Sequence, residues 1–105
     1  MAETQCVAYS PAPVVDEIDA DGLALLCKAL AHPARVQILK HLARTGACFF
    51  GSFSGVVPLA ASTISQHVSI LKEAGLIRAS ADEQRMCYCV VPERLDTLKQ
   101  LINRI

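Results

Sequence analysis

Along most of this chain apolar side chains recur at helical spacing, and in one stretch they alternate instead. Between Asp19 and Leu30 the residues Leu23, Leu26, Cys27 and Leu30 stand at i, i+3, i+4 and i+7, which predicts an amphipathic helix behind the acidic segment Asp16–Asp21. His32-Pro33 interrupts that pattern, because a residue before proline avoids the helical region, and Pro33 then suits the first turn of a second helix running to Ala43. Its inner side is expected to be Val36, Leu39 and Leu42 or Ala43, and Thr45-Gly46 ends it. Ala47-Cys48-Phe49-Phe50 suits a short strand, and Gly51–Pro58 a short irregular helix anchored by Phe53, Val56 and Val57. Ile64, Val68 and Leu71 share one side of a longer helix expected over Pro58–Ala74, with Gly75 as its stop. Leu76–Ser80, Ala81–Gln84 and Arg85–Val91 read as strand, turn and strand. Pro92 closes that hairpin, and Leu95, Leu98, Leu101, Ile102 and Ile105 stripe a final helix.

This order predicts a mainly α fold with a small β-sheet. It is a winged helix-turn-helix, with extra N- and C-terminal helices that offer a dimerisation surface. Residues 1–15, with Pro11 and Pro13 and no helical period, read as a flexible arm, and residues 16–105 as one folded unit. The helix after the short Gly51–Val57 element is then the recognition helix, and the hairpin is the wing.

The polar face of that helix changes the picture from architecture to chemistry. Ser62, Thr63, Ser65, Gln66, His67 and Ser69 are short hydroxyl, amide and imidazole groups, poor material for a salt-bridged solvent face and good material for base edges and phosphates. Lys72 and Arg85 add cations to this candidate DNA-binding set. An ordinary Ser/Thr-rich surface would carry the same pattern, so the pattern alone leaves both readings open.

Formal net charge is zero, which speaks against a broadly nucleic-acid-coating protein. The distribution is uneven, however. From Gly22 to Ser80 the charged residues are Lys28, Arg35, Lys40, Arg44, Lys72 and Arg78 against Glu73 alone. The remaining acids sit at Glu3 and in Asp16–Asp21, in the hairpin turn and in the last helix. A basic middle with acidic flanks suits a local phosphate footprint. With 52% hydrophobic residues, whole-chain disorder is excluded. No apolar run approaches bilayer length, and Met1–Ser10 lacks the pattern of a secretory signal. Five cysteines at irregular spacing do not form a secreted disulfide framework, so a cytoplasmic protein without membrane partners is expected. No glycine-rich phosphate loop, hydrolase metal motif or nucleophile triad points to an enzyme or an organic cofactor.

Two segments carry a family resemblance. Leu30-Ala31-His32-Pro33-Ala34-Arg35-Val36-Gln37-Ile38-Leu39 resembles the start of the second helix in the ArsR/SmtB repressors, and Ser62–Ile77 resembles their recognition helix and its Ala-Gly-Leu-Ile ending. With the wing, the resemblance covers about Leu23–Ile105. It implies a homodimeric repressor bound to an inverted repeat of double-stranded DNA and released by a metal, metalloid or oxidant. By position it assigns Ser62, Thr63, Ser65, Gln66 and His67 to the DNA side. The chain departs from two sensing patterns of that family: only Cys48 stands where some members have a Cys-x-Cys pair, and Glu93–Ile105 contains no histidine where zinc-responsive members have ligands.

The cysteines are therefore the candidate sensor. Cys87 and Cys89 alternate along a strand and so share one face, with Tyr88 opposite. Winged-helix topology pairs the short strand carrying Cys48 with this one. Three thiolates would select a soft ion, and by family analogy arsenite- or antimonite-type trivalent arsenic or antimony is the expected effector. Cys6, on the arm, is a candidate additional ligand, whereas Cys27 lies on an apolar stripe and reads as structural. Three alternatives stay open. The cysteines fill the core as small apolar residues; they form a redox or persulfide switch; or the domain is a protein-interaction winged helix that does not touch DNA.

Overall fold

A computed structural model describes residues 19–46, 49, 51–82 and 85–105. Helix α1 covers Ala20–Ala29, and the carboxylate of Asp19 caps it by accepting from the Gly22 N–H at 2.9 Å. Helix α2 covers Pro33–Thr45. Its cap is His32, whose Nδ1 accepts from the Ala34 N–H at 3.0 Å, with Pro33 in the first turn. Gly46 ends α2 at φ 66, a left-handed conformation natural to glycine. A single 3-10 turn, Phe53–Gly55, stands where an irregular helix was expected, held by buried Phe53 and Val57.

Helix α3 covers Ala61–Glu73, starting three residues later than the apolar pattern suggested, since Pro58-Leu59-Ala60 is not helical. Its end is a paired reversal around Gly75 at φ 80: the Leu76 N–H donates to the Leu71 carbonyl at 3.1 Å and the Gly75 N–H to the Lys72 carbonyl at 2.9 Å. Strands β1 (Ile77–Asp82) and β2 (Arg85–Val90) pair antiparallel, with Arg78 opposite Cys89 and Ser80 opposite Cys87. Helix α4 covers Pro92–Asn103. The Arg94 Nε donates to the Ala74 carbonyl at 3.1 Å, which pins the start of α4 to the end of α3.

The predicted strand before the helix-turn-helix is represented by one bridge. Phe49 and Tyr88 exchange two backbone hydrogen bonds of 2.9 and 3.0 Å, so the chain after α2 is fastened to β2. The rest of that segment, Ala47, Cys48 and Phe50, lies outside the described residues. So do residues 1–18, where the arm and Cys6 were expected.

One core joins the elements: Leu26 of α1, Ile38 and Leu42 of α2, Val57, Leu71 of α3 and Leu76 are fully buried. Beside it an aromatic row runs from His41 to Phe49, Phe53 and Tyr88, with ring centroids 4.7, 5.0 and 5.3 Å apart. Two expectations about faces are corrected. The inner face of α2 is Ala34, Ile38, Leu39 and Leu42, while Val36 is 45% exposed, because α3 and β2 pack on other sides of α2. Cys27 is exposed although it lies on the apolar stripe of α1, because Leu26 and Ala29 turn to the core instead.

Candidate nucleic-acid interface and thiol site

Helix α3 has the two faces its sequence suggests. Ile64, Val68 and Leu71 are buried, and Ser62, Ser65, Gln66, Ser69 and Lys72 are exposed along the opposite side, with Thr63 half-buried between them. A helix whose exposed face carries hydroxyls, an amide and an ammonium can enter a major groove and reach both base edges and phosphates. Arg85 stands at the start of β2 opposite Asp82, and its side chain lies outside what the structure describes.

His67 is the exception. It was expected to face DNA, yet it is only 8% exposed. Its Nδ1 accepts a hydrogen bond from Arg35 Nη1 at 2.9 Å, and its ring lies 4.3 Å from that of His32. Arg35 also donates through Nε to the Ala29 carbonyl at 2.7 Å and reaches the Lys28 carbonyl at 3.5 Å. Arg35, counted from sequence in the basic phosphate footprint, thus links the end of α1 to the middle of α3. Burial is the first reason that the His67 pKa is lowered; the neighbouring His32 and then Arg35 push it the same way. With Arg35 as donor, His67 is the neutral tautomer bearing its proton on Nε2. The clue lay in the spacing, since 64, 67, 68 and 71 form one stripe and His67 is inside it. His41 is half-buried against Phe49, and its Nε2 has no hydrogen-bond partner among the described residues.

The thiols divide into different environments. Cys87 is 5% exposed and disulfide-bonded. Cys27 and Cys89 are free. The Cys89 Sγ lies 3.8 Å from that of Cys87. The sulfurs of the two wing cysteines, Cys87 and Cys89, therefore stand side by side on one face of β2. Among the described residues no group of three or more His, Cys, Asp or Glu side chains is arranged to hold a metal ion. Nor is any helix among them long and apolar enough to cross a membrane.

A bent pair of helices with an exposed polar recognition face, followed by a two-stranded wing, defines a winged helix-turn-helix DNA-binding regulator. The family model of the bacterial regulatory proteins of the arsR family matches residues 32–79. The chain is 32% identical over 89 residues to the HTH-type transcriptional regulator YgaV of Escherichia coli K12, a match spanning 85% of this chain and 90% of that protein. It belongs to the arsR family of transcriptional regulators, whose members bind DNA operators, typically dimerise and respond to metal or metalloid effectors; it is not an enzyme. The fold agrees with an ArsR-like transcriptional regulator from Rhodococcus sp. RHA1, at TM-score 0.69 and 22% identity over 81% of this chain and 79% of that one. The NMR structure of the cadmium metal-sensor CMTR from Mycobacterium tuberculosis superposes at TM-score 0.57 and 32% identity, covering 76% of this chain and 82% of that one.

Proposed function

We propose that this regulator is a homodimeric repressor of an inverted-repeat operator. It is released when trivalent arsenic or antimony is bound by Cys87, Cys89 and Cys48, with Cys6 as a further candidate ligand. The observation that carries the effector reading is the approach of the Cys87 and Cys89 sulfurs to 3.8 Å. Cys48 enters by adjacency: it precedes Phe49, whose backbone bridges Tyr88 between the two wing cysteines. In the reduced protein, arsenous acid would condense with three thiols, forming three As–S bonds and releasing three waters without change of oxidation state. Soft thiolates favour such an ion over a hard cation.

Ser62, Thr63, Ser65, Gln66 and Ser69 meet the major groove, and Lys72 and Arg85 meet phosphates. His67 serves that face from behind, through Arg35. Two recognition helices in a dimer would lie one DNA turn apart, roughly 34–36 Å. Support for the dimer comes from apolar surface on the terminal helices, with Leu25 at 50% and Ile102 at 51% exposure on packed neighbours α1 and α4. Effector binding pulls on the segment fastened to β2 directly before the helix-turn-helix, and a coupling of about 1–3 kcal/mol suffices for release.

A second reading has its own support: the disulfide at Cys87 favours a redox switch on the same sulfurs. One experiment separates the two. Operator-bound, fully reduced protein is titrated with arsenite and, separately, with hydrogen peroxide, and the products are weighed. Release by arsenite with a metalloid adduct, lost in Cys87→Ser and Cys89→Ser, supports the metalloid reading. Release by peroxide alone, with a disulfide as product, overturns it in favour of the redox reading.

A further inference from the structure

A cavity of about 510 Å³ opens between the end of α2, the sheet and α4. Leu42, Val90 and Leu95 supply an apolar wall, and Arg78, Asp96 and Lys99 a charged rim. The half-buried free thiol of Cys89 lines it as well. Arg78 is the direct cross-strand partner of Cys89, so both side chains rise from the same face of the sheet. Arg78 and Lys99 are exposed, and among the described residues neither is tied up in an ion pair or hydrogen bond. Two unpaired cations outweigh the single carboxylate of Asp96 beside a thiol. The volume falls in the range of small-molecule sites.

We propose that this pocket takes a small organic anion carrying a disulfide, and that Cys89 is its covalent acceptor. The carboxylate of such a molecule meets Arg78 and Lys99, and its ring or alkyl body lies on the apolar wall. The Cys89 thiol gives its proton to solvent, and the thiolate sulfur attacks the nearer sulfur of the bound disulfide. A new S–S bond forms to Cys89 while the old one breaks, and the far half leaves as a thiolate with the bonding electron pair. The incoming disulfide is itself the oxidant. Cys89 is also a ligand of the proposed metalloid site, but capture requires only its free thiol and the two cations.

The test uses the full chain with two reagents, the dianionic aromatic disulfide 5,5′-dithiobis(2-nitrobenzoate) and the dicationic disulfide cystamine. Rates at individual cysteines are followed by peptide mapping, and exposed Cys27 is the internal reference. The dianion is expected to outpace the dication at Cys89 by about tenfold more than at Cys27 in dilute buffer, with the gap narrowing as salt is added. Arg78→Glu with Lys99→Glu, both at exposed positions, should abolish that gap. Equal preference at Cys89 and Cys27, or a preference untouched by the double charge reversal, overturns the proposal. Arsenite release is scored on the same protein. Its absence beside an intact charge preference would defeat the metalloid reading and leave pocket capture standing.

Discussion

Arg35 and His67 are 32 residues apart in the chain and 2.9 Å apart in the fold, and the bond between them ties the back of the recognition helix to the end of α1. Because the guanidinium can only donate, the bond exists only while His67 is neutral at Nδ1.

Acidification should therefore loosen this link. The folded-state pKa of His67 lies below its ordinary 6.5, chiefly through burial. Between those two values the unfolded chain binds more protons than the folded one, so stability rises with pH across the window. It is fully present above 6.5 and is lost as pH falls through the folded-state value. Urea unfolding at a series of pH values should give a shallower slope in this window for His67→Gln, which keeps an acceptor but does not titrate. An identical slope in the two proteins would remove His67 from the account.

Arg35→Lys should destabilise the protein even though charge is kept. An ammonium cannot span the Ala29 carbonyl and His67 as the planar fork does. A loss of about 1–3 kcal/mol is expected from groups left unpaired, read by chemical denaturation. Wild-type stability in this variant would mean that the fork contributes nothing.

On the exposed face of α3, Gln66→Ala should cost about 1–3 kcal/mol of operator binding and relax base preference. Lys72→Ala should weaken all duplexes alike and lower the salt slope by about one unit. Both residues are exposed, so thermal stability should stay within about 0.5 kcal/mol. Binding curves over a salt series on operator and random duplex distinguish them.

Leu42→Ala and Leu71→Ala remove fully buried side chains on α2 and α3. Each should cost about 2–5 kcal/mol, enough to unfold much of a marginally stable domain. Circular dichroism melts check this directly.

Leu25→Glu with Ile102→Glu places charge on the exposed apolar positions of α1 and α4. Sedimentation should show a monomer with unchanged helix content. A persistent dimer would move the association surface elsewhere.

Local pattern determined much of this protein. Helical spacing of Leu26, Leu39, Leu42, Ile64, Val68 and Leu71 places the helices, because burial of one face sets that period whatever the partner is. Gly46 and Gly75 mark helix ends because positive φ is a property of the single residue. The alternation after Leu76 gives the hairpin, and the polar row of α3 gives the exposed face. Only the tertiary structure decided which way ambiguous residues turn. His67 was legible as part of the buried stripe, but a polar side chain is tolerated there only because Arg35 arrives from another helix with a donor. Val36 and Cys27 face outward because neighbouring elements cover other sides of α2 and α1, and no periodicity within a helix contains that information. The opening of a pocket beside Cys89 depends in the same way on strand register and on where α4 packs.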